Sequence, residues 1–85
     1  MPHPIHDPRY QLVAARLREL REERGWFQQD VADRLGRNQT FVSKYESGIR
    51  RVDVIELLDI LRVLESDPHE FLDYLNDSPM RALPR

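Results

Sequence analysis

The chain has 85 residues, a formal net charge of -2, 33% charged residues and no cysteine. This length allows one small domain, and the absence of cysteine excludes disulfides and thiolate metal sites. No apolar run is long enough to span a membrane and no apolar signal segment begins the chain, so we expect a cytoplasmic protein.

Charge is distributed unevenly along the sequence. Residues 34–51 carry five cations against one carboxylate, a net charge of +4. Residues 52–77 carry eight carboxylates against Arg62 alone, a net charge of -7. This asymmetry indicates one basic face for phosphate and one acidic face turned away from it. The acidic residues could also do no more than solvate two surface helices, and both interpretations can hold together.

The first helix signal is Asp7-Pro8, an N-cap followed by a residue suited to the first helical position. Gly25 predicts the end of this helix, because glycine readily adopts the left-handed conformation there. The preceding residues form a Pro- and His-containing arm that we expect to be mobile. Its His3 and His6 have no third ligand nearby, so no metal is expected. Apolar residues at the spacing of one helix face are Tyr10, Val13, Ala14, Leu17 and Leu20.

The stretch from Gln28 to Gly48 has the pattern of a helix, a tight turn and a second helix. Gly36 marks the turn, between helices expected at about residues 28–35 and 39–46. Asn38 is the expected N-cap of the second helix. Apolar residues suited to the inside of the corner are Val31, Ala32, Leu35, Val42 and Tyr45.

Two further helices are predicted after this pair. Asp53 and Glu56 have capping-box spacing, and Asp67-Pro68 repeats the first helix signal. We expect residues 1–6 to be an arm, 7–76 one all-α domain and 77–85 a loose Pro-containing tail. There is no strand signal. The expected inward residues of the last two helices are Leu57, Leu58, Leu61, Leu64, Phe71, Leu72 and Leu75.

These residues together resemble the lambda-repressor/Cro-like helix-turn-helix family, often called XRE. The resemblance covers about residues 10–75 and implies a compact five-helix domain that binds operator DNA, usually as a symmetric dimer. One position departs from the family, because Phe27 stands where Ser or Thr often caps helix two. Helix two then begins less firmly, or the ring compensates by packing. The residues at family spacing are Arg21, Gly25, Gln28, Val31, Ala32, Gly36, Gln39, Val42, Ser43, Glu46 and Gly48.

The resemblance implies that helix three enters the major groove, where base edges present distinct donors and acceptors. We expect Gln39 to read adenine, Lys44 to read guanine and Thr40 to contact thymine or a base edge, with Ser43 as a fourth candidate. Each could instead be an exposed polar helix residue. Phe41 could press on a thymine methyl, but half-burial against helix two is favoured. Expected phosphate contacts are Gln28, Arg37, Asn38, Arg50 and Arg51.

Two further contacts are expected. In the resembling family the positions of Arg21 and Glu46 form an ion pair, which would fix helix three against helix one. A dimer would place its recognition helices about one DNA turn apart, roughly 34 Å. Its expected interface, formed by helix five with the end of helix four, is Ile60, Val63, Phe71, Leu72, Tyr74 and Leu75. These residues could instead close the monomer core, which is the expectation for Phe71 and Leu75.

The sequence favours a double-stranded DNA-binding transcriptional regulator, most simply a repressor that binds a palindromic operator as a dimer. Alternatives are a DNA-binding antitoxin with a toxin partner, a restriction–modification controller acting on its own promoter, or a purely protein-binding module. An enzyme is not expected, since no nucleophile constellation, Gly-rich phosphate loop or His–carboxylate cluster occurs. No cofactor is expected either.

Overall fold

The computed structural model describes residues 7–77, and this part of the chain forms five α-helices and no strand. Helix α1 spans Pro8–Glu23, α2 Gln28–Leu35, α3 Gln39–Glu46, α4 Val54–Val63 and α5 Pro68–Asn76. The predicted all-α, five-helix fold is confirmed. The predicted arm at 1–6, with His3 and His6, and the tail from residue 78 onward lie outside the described residues.

Side-chain caps begin four of these helices. The carboxylate of Asp7 accepts the backbone N–H of Arg9 at 2.8 Å, and that of Asp67 accepts the N–H of His69 at 2.8 Å. The side-chain oxygen of Asn38 accepts the N–H of Phe41 at 2.9 Å. The α4 capping box is complete, with reciprocal bonds of 2.7 and 3.0 Å between Asp53 and Glu56. Each cap satisfies backbone donors that have no partner inside the helix.

Helix α2 lacks the usual cap, as the sequence predicted. The ring of Phe27 offers no acceptor, but the Asp30 carboxylate accepts the Phe27 N–H at 2.7 Å and so supplies half of a capping box. The Phe27 side chain is 78% exposed, so the suggestion that it compensates by packing is wrong. Trp26 packs against the core instead. At the other end, Gly36 takes φ of 70° and closes α2 in the left-handed conformation.

The core lies between the helix-turn-helix and the three surrounding helices. Helix α3 packs against α1 and α2, α4 packs against α2, and α5 packs against α1. Phe41 and Tyr45 of α3 meet edge to face with ring centroids 5.4 Å apart. The buried apolar residues are Ala14, Leu17, Val31, Ala32, Phe41, Val42, Tyr45, Ile60, Leu61, Leu64 and Phe71.

Two inward assignments made from the sequence are wrong. Leu58 of α4 and Leu72 of α5 are exposed, whereas Ile60 is fully buried. Helix α4 turns its i, i+3, i+4 and i+7 positions, beginning at Leu57, toward the core, and this stripe takes Ile60 in place of Leu58. The exposed apolar residues on the remaining surface of α4 are Val54, Ile55 and Leu58. None of the described helices is long and apolar enough to cross a membrane.

Candidate nucleic-acid interface

Helix α3 divides into one buried and one open face. Residues 41, 42, 45 and 46 are buried, whereas residues 39, 40 and 44 are exposed and residue 43 is partly exposed. Within residues 7–77, no hydrogen bond or ion pair engages the side chains of Thr40, Ser43 or Lys44. The structure therefore brings the four expected base readers to one surface and leaves three of them without protein partners there.

An ion pair fixes α3 against α1. Arg21 Nε donates to Glu46 Oε2 at 2.7 Å, and Arg21 Nη2 donates to Glu46 Oε1 at 3.0 Å. Both side chains are buried, and Arg21 Nη1 also donates to the Trp26 carbonyl at 2.6 Å. The hydrogen bonds from Arg21 to Glu46 raise the pKa of the guanidinium above its ordinary value. This bidentate geometry is the one that arginine and carboxylate groups favour.

Two glutamine side chains extend this pair toward the open face. Gln28 Nε2 donates to Glu46 Oε1 at 3.1 Å, and Gln39 Nε2 donates to Gln28 Oε1 at 2.6 Å. A continuous set of hydrogen bonds thus runs from the buried Arg21 to the exposed Gln39. It holds the first side chain of α3 through a residue of α2, so the orientation of Gln39 is set by groups inside the domain.

The hydrogen bond to Gln28 leaves Gln39 able to read a base. A glutamine amide has two N–H donors and one carbonyl oxygen, and only one N–H is used by Gln28. The second N–H and the oxygen are the two groups that pair with the N7 acceptor and the amino donor of adenine. The Gln28 amide donates one N–H to Glu46 and accepts the Gln39 N–H with its oxygen. Its second N–H remains available to a phosphate.

Five positions were expected to contact phosphate, and the structure shows that their side chains are not equally available. Within the described part of the chain, Arg51 forms no side-chain hydrogen bond or ion pair, and it is exposed. Asn38 uses its oxygen as the α3 cap and keeps its amide N–H groups. Arg37 and Arg50 belong to a cluster around Phe41.

That cluster joins the end of α2, the centre of α3 and the start of α4. The Arg37 and Arg50 guanidinium carbons lie 3.9 and 4.7 Å from the centroid of the buried Phe41 ring. Arg50 donates from Nη1 and Nη2 to the two Glu56 oxygens at 3.0 and 2.9 Å. Arg37 Nη1 lies 3.8 Å from the same carboxylate, a distance too long for a hydrogen bond. The expectation that Phe41 faces the protein is confirmed.

Sequence reasoning missed the role of Glu56 because it assigned this residue only to the α4 cap. The six-residue separation from Arg50 crosses a loop, so no helix periodicity links the two side chains. The hydrogen bond from Arg50 lowers the pKa of the Glu56 carboxyl, with a further lowering from the Asp53 N–H. In the sequence, the opposite charges of Arg50 and Glu56 were the only indication of this contact.

The structure corrects the dimer expectation for Ile60, which is buried in the monomer core because it lies on the stripe by which α4 packs, and so presents no surface to a partner. Phe71 is buried in the same core, as expected for it. Val63 and Leu75 are partly buried against the same core. Leu72 and Tyr74 remain exposed. Within residues 7–77 no group of three or more metal-binding side chains occurs.

Comparisons with known proteins give consistent matches. Residues 12–72 match a family model described as a helix-turn-helix domain. The chain is 46% identical to an XRE-family like protein of known structure from Pseudomonas syringae pv. tomato str. DC3000, with a TM-score of 0.78. That match covers 85% of this chain and 88% of the other. No curated protein gives a significant match.

Restriction–modification controllers are also similar. The chain is 30% identical to C.AhdI from Aeromonas hydrophila, covering 81% of this chain and 99% of that one, with a TM-score of 0.72. It is 23% identical to C.Esp1396I, solved as a tetramer in complex with its natural 35 base-pair operator. That match covers 87% of this chain and 92% of the other with a TM-score of 0.69, and at this identity it concerns the fold alone.

The five-helix fold and the open face of α3 define a helix-turn-helix domain. The match over residues 12–72 and the identity with the Pseudomonas syringae protein specify the group. The chain belongs to the XRE-like helix-turn-helix DNA-binding family.

Proposed function

We propose that this protein is a sequence-specific transcriptional regulator, most simply a repressor, that binds palindromic double-stranded DNA as a dimer with α3 in the major groove. The observation that carries the proposal is the open face of α3. Its polar side chains are exposed together on a helix whose other face is fixed in the core. A rigid helix of this kind is suited to reading base edges.

Each side chain has a distinct role in this proposal. Gln39 pairs with adenine through its free N–H and oxygen, Lys44 donates to guanine, and Thr40 and Ser43 contact neighbouring base edges. Arg51 and Arg37 bind phosphate, and Asn38 and Gln28 add amide N–H donors to the backbone. The acidic residues 52–77 supply the electrostatic contrast that orients the basic segment toward DNA.

A restriction–modification controller is a specific form of the same function. The likeness to C.AhdI at 30% identity over 99% of its length favours this form over an antitoxin. C.Esp1396I, which shares the fold, assembles as a tetramer on its operator. We propose that this protein likewise occupies its operator through more than one copy.

The exposed surface of α4 is the proposed dimer contact. Leu58 follows Val54 by four residues and Ile55 by three, so both neighbour Leu58 on one side of the helix. All three are exposed, as is Ile49 in the preceding loop. Apolar side chains grouped in this way favour burial against another surface, and a second copy of the chain presents the same group.

Selection of bound sequences from random duplex DNA tests the function. The expected result is a palindromic consensus with half-sites one helical turn or a multiple of it apart. Affinity for that duplex should fall steeply with salt, and affinity for random duplex should be at least about a thousandfold lower. Absence of salt-dependent binding to any duplex, or a consensus without symmetry, would contradict the proposal.

Two substitutions separate base reading from phosphate binding. Gln39→Ala should cost about 1–3 kcal/mol on the consensus duplex and little on random DNA. Arg51→Ala should weaken both duplexes alike and reduce the salt slope by about 1. Arg62→Ala is the matched control for charge, since it removes one exposed cation from the acidic segment and should leave the slope unchanged.

A further inference from the structure

We propose that Glu56 masks Arg50: its carboxylate occupies the guanidinium that a DNA phosphate would otherwise bind, and so limits sequence-independent binding. This inference rests on the proposed DNA-binding function and concerns the same surface. It assigns to an acidic residue of α4 a role in setting DNA affinity, although Glu56 needs no contact with DNA.

The hydrogen bonds of Arg50 carry the argument. Of its five N–H donors, three are engaged, two by the Glu56 oxygens at 2.9 and 3.0 Å and one by the Arg51 carbonyl at 2.9 Å. The paired Nη1 and Nη2 edge is one of two guanidinium edges that can bind a phosphate bidentately, and here it already holds a carboxylate. Glu56 thus occupies one of these two edges and neutralises the charge of Arg50.

The backbone fixes Arg50 beside the recognition helix. Its N–H donates to the Lys44 carbonyl in the last turn of α3 at 3.1 Å, and its carbonyl accepts the Tyr10 hydroxyl at 3.1 Å. The neighbouring Arg51 forms no such pair among the described residues. Two adjacent arginines in one loop therefore differ, one neutralised by a carboxylate and one open to solvent.

The effect of the mask on DNA affinity depends on the difference between phosphate contacts and base contacts. Contacts to phosphate supply nearly all binding to arbitrary sequence, whereas contacts to bases supply discrimination. Neutralising one cation beside α3 lowers affinity for every duplex, but it leaves Gln39 and Lys44 free to read bases. Masking Arg50 therefore weakens the sequence-independent part of binding and leaves discrimination between bases to α3.

Glu56→Gln tests the mask. The glutamine oxygen can still accept the Asp53 N–H and so preserve the α4 cap, while the charge that holds Arg50 is lost. Released Arg50 should add one phosphate contact, so the salt slope on random duplex should steepen by about 0.9. At about 0.1 M salt this corresponds to roughly five- to tenfold tighter binding. Affinity for the consensus duplex should rise by a similar factor, because a phosphate contact carries no sequence information.

Asp59→Asn is the matched control, because it removes one exposed carboxylate from the same helix. Within the described residues Asp59 has no hydrogen-bond or ion-pair partner, so its loss should leave the salt slope unchanged. The double variant Arg50→Gln/Glu56→Gln completes the test. In this variant the gain in affinity and the steeper salt slope expected for Glu56→Gln should vanish. Circular dichroism and the melting temperature establish that each variant is folded.

The outcomes separate this inference from the proposed function. Weaker binding or an unchanged slope in the Glu56→Gln variant, or a gain that persists without Arg50, would overturn the mask. If the wild-type protein binds no duplex, the proposed function fails, and retention on immobilised heparin, a sulfated polyanion, decides the inference. Later elution of Glu56→Gln than of wild type and Asp59→Asn supports the mask, and equal elution overturns it.

Discussion

The Arg21–Glu46 pair joins α1 to α3 through two buried hydrogen bonds. Substituting Glu46 by Gln leaves a buried guanidinium without its counter-charge, and breaking one partner of such a pair costs about 3–5 kcal/mol. We expect the free energy of unfolding of Glu46→Gln, measured in urea, to fall by an amount in this range. DNA affinity should fall as well, since Glu46 also holds Gln28.

The exposed Arg18–Glu22 pair is the control for this prediction. Arg18 Nε lies 3.2 Å from Glu22 Oε2, but both side chains are more than half exposed. Glu22→Gln should therefore change the free energy of unfolding by less than about 1 kcal/mol. If Glu46→Gln and Glu22→Gln lower the free energy of unfolding by similar amounts, burial does not strengthen the Arg21–Glu46 pair.

Burial of Tyr45 predicts sensitivity to alkali. Burial raises the pKa of the Tyr45 hydroxyl, with a further rise from Glu46, whereas an unfolded tyrosine titrates near about 10. The stability that this difference contributes is fully present below about pH 10 and is lost as the pH rises toward the folded pKa, because the unfolded state releases the proton first. Burial also raises the pKa of Tyr10.

Tyr45→Phe should therefore lose less stability than the wild type between about pH 8 and about pH 11. Urea unfolding at the two pH values measures the difference, and Tyr74→Phe, which alters an exposed phenol, is the control. Equal alkaline losses in wild type and Tyr45→Phe would contradict the assignment.

At this scale the sequence predicted which residues face outward on α3 but not which of them are committed to partners. The spacing of Gln39, Thr40, Ser43 and Lys44 follows from helix periodicity, a local property. The pairing of Arg50 with Glu56 depends on how the loop before α4 folds back, and sequence spacing does not specify that path.

Among the elements, α2 has the weakest start. Phe27 has φ of -83° and ψ of 165°, the extended geometry in which a hydroxyl side chain can accept an N–H of the first turn. Its ring is largely exposed, so replacing it forfeits little burial. We expect Phe27→Thr to increase the free energy of unfolding by about 1 kcal/mol in urea titrations.

The cap of α3 provides the opposite test. Asn38 caps that helix with a 2.9 Å hydrogen bond, so Asn38→Ala should lower stability by about 1 kcal/mol. If the alanine variant is destabilised and Phe27→Thr is not stabilised, the lone bond from Asp30 already suffices for α2.

Element boundaries were predictable because their signals are local: Asp-Pro starts two helices, and Gly36 ends α2. The orientation of α4 was not. Leu58 and Ile60 are both apolar and both fit a helical stripe, and only packing against α2 decides that Ile60 lies inside.

For the whole molecule, the apolar surface of α4 predicts the state of association. Ile55 is 66% exposed, so a glutamate there should cost the monomer little but place a charge in the proposed dimer contact. We expect sedimentation to show a concentration-dependent dimer for the wild type and a monomer for Ile55→Glu. Affinity for a palindromic duplex should fall accordingly.

Leu72→Glu is the matched variant, since Leu72 is an exposed apolar residue on α5. It should leave the dimer intact. Dissociation by Leu72→Glu but not by Ile55→Glu would place the contact on α5, and a monomeric wild type at all concentrations would exclude a stable dimer in solution.

The hydrogen bond between Gln28 and Gln39 has a consequence for how this protein can diverge. A new side chain at position 39 that reads a different base would leave the Gln28 oxygen without its donor, and a new side chain at position 28 would release Gln39. Operator preference should therefore change by paired substitutions at the two positions. Replacing α3 alone by that of a relative would transfer position 39 but not position 28. An exchange of operator specificity between relatives should therefore replace both residues together.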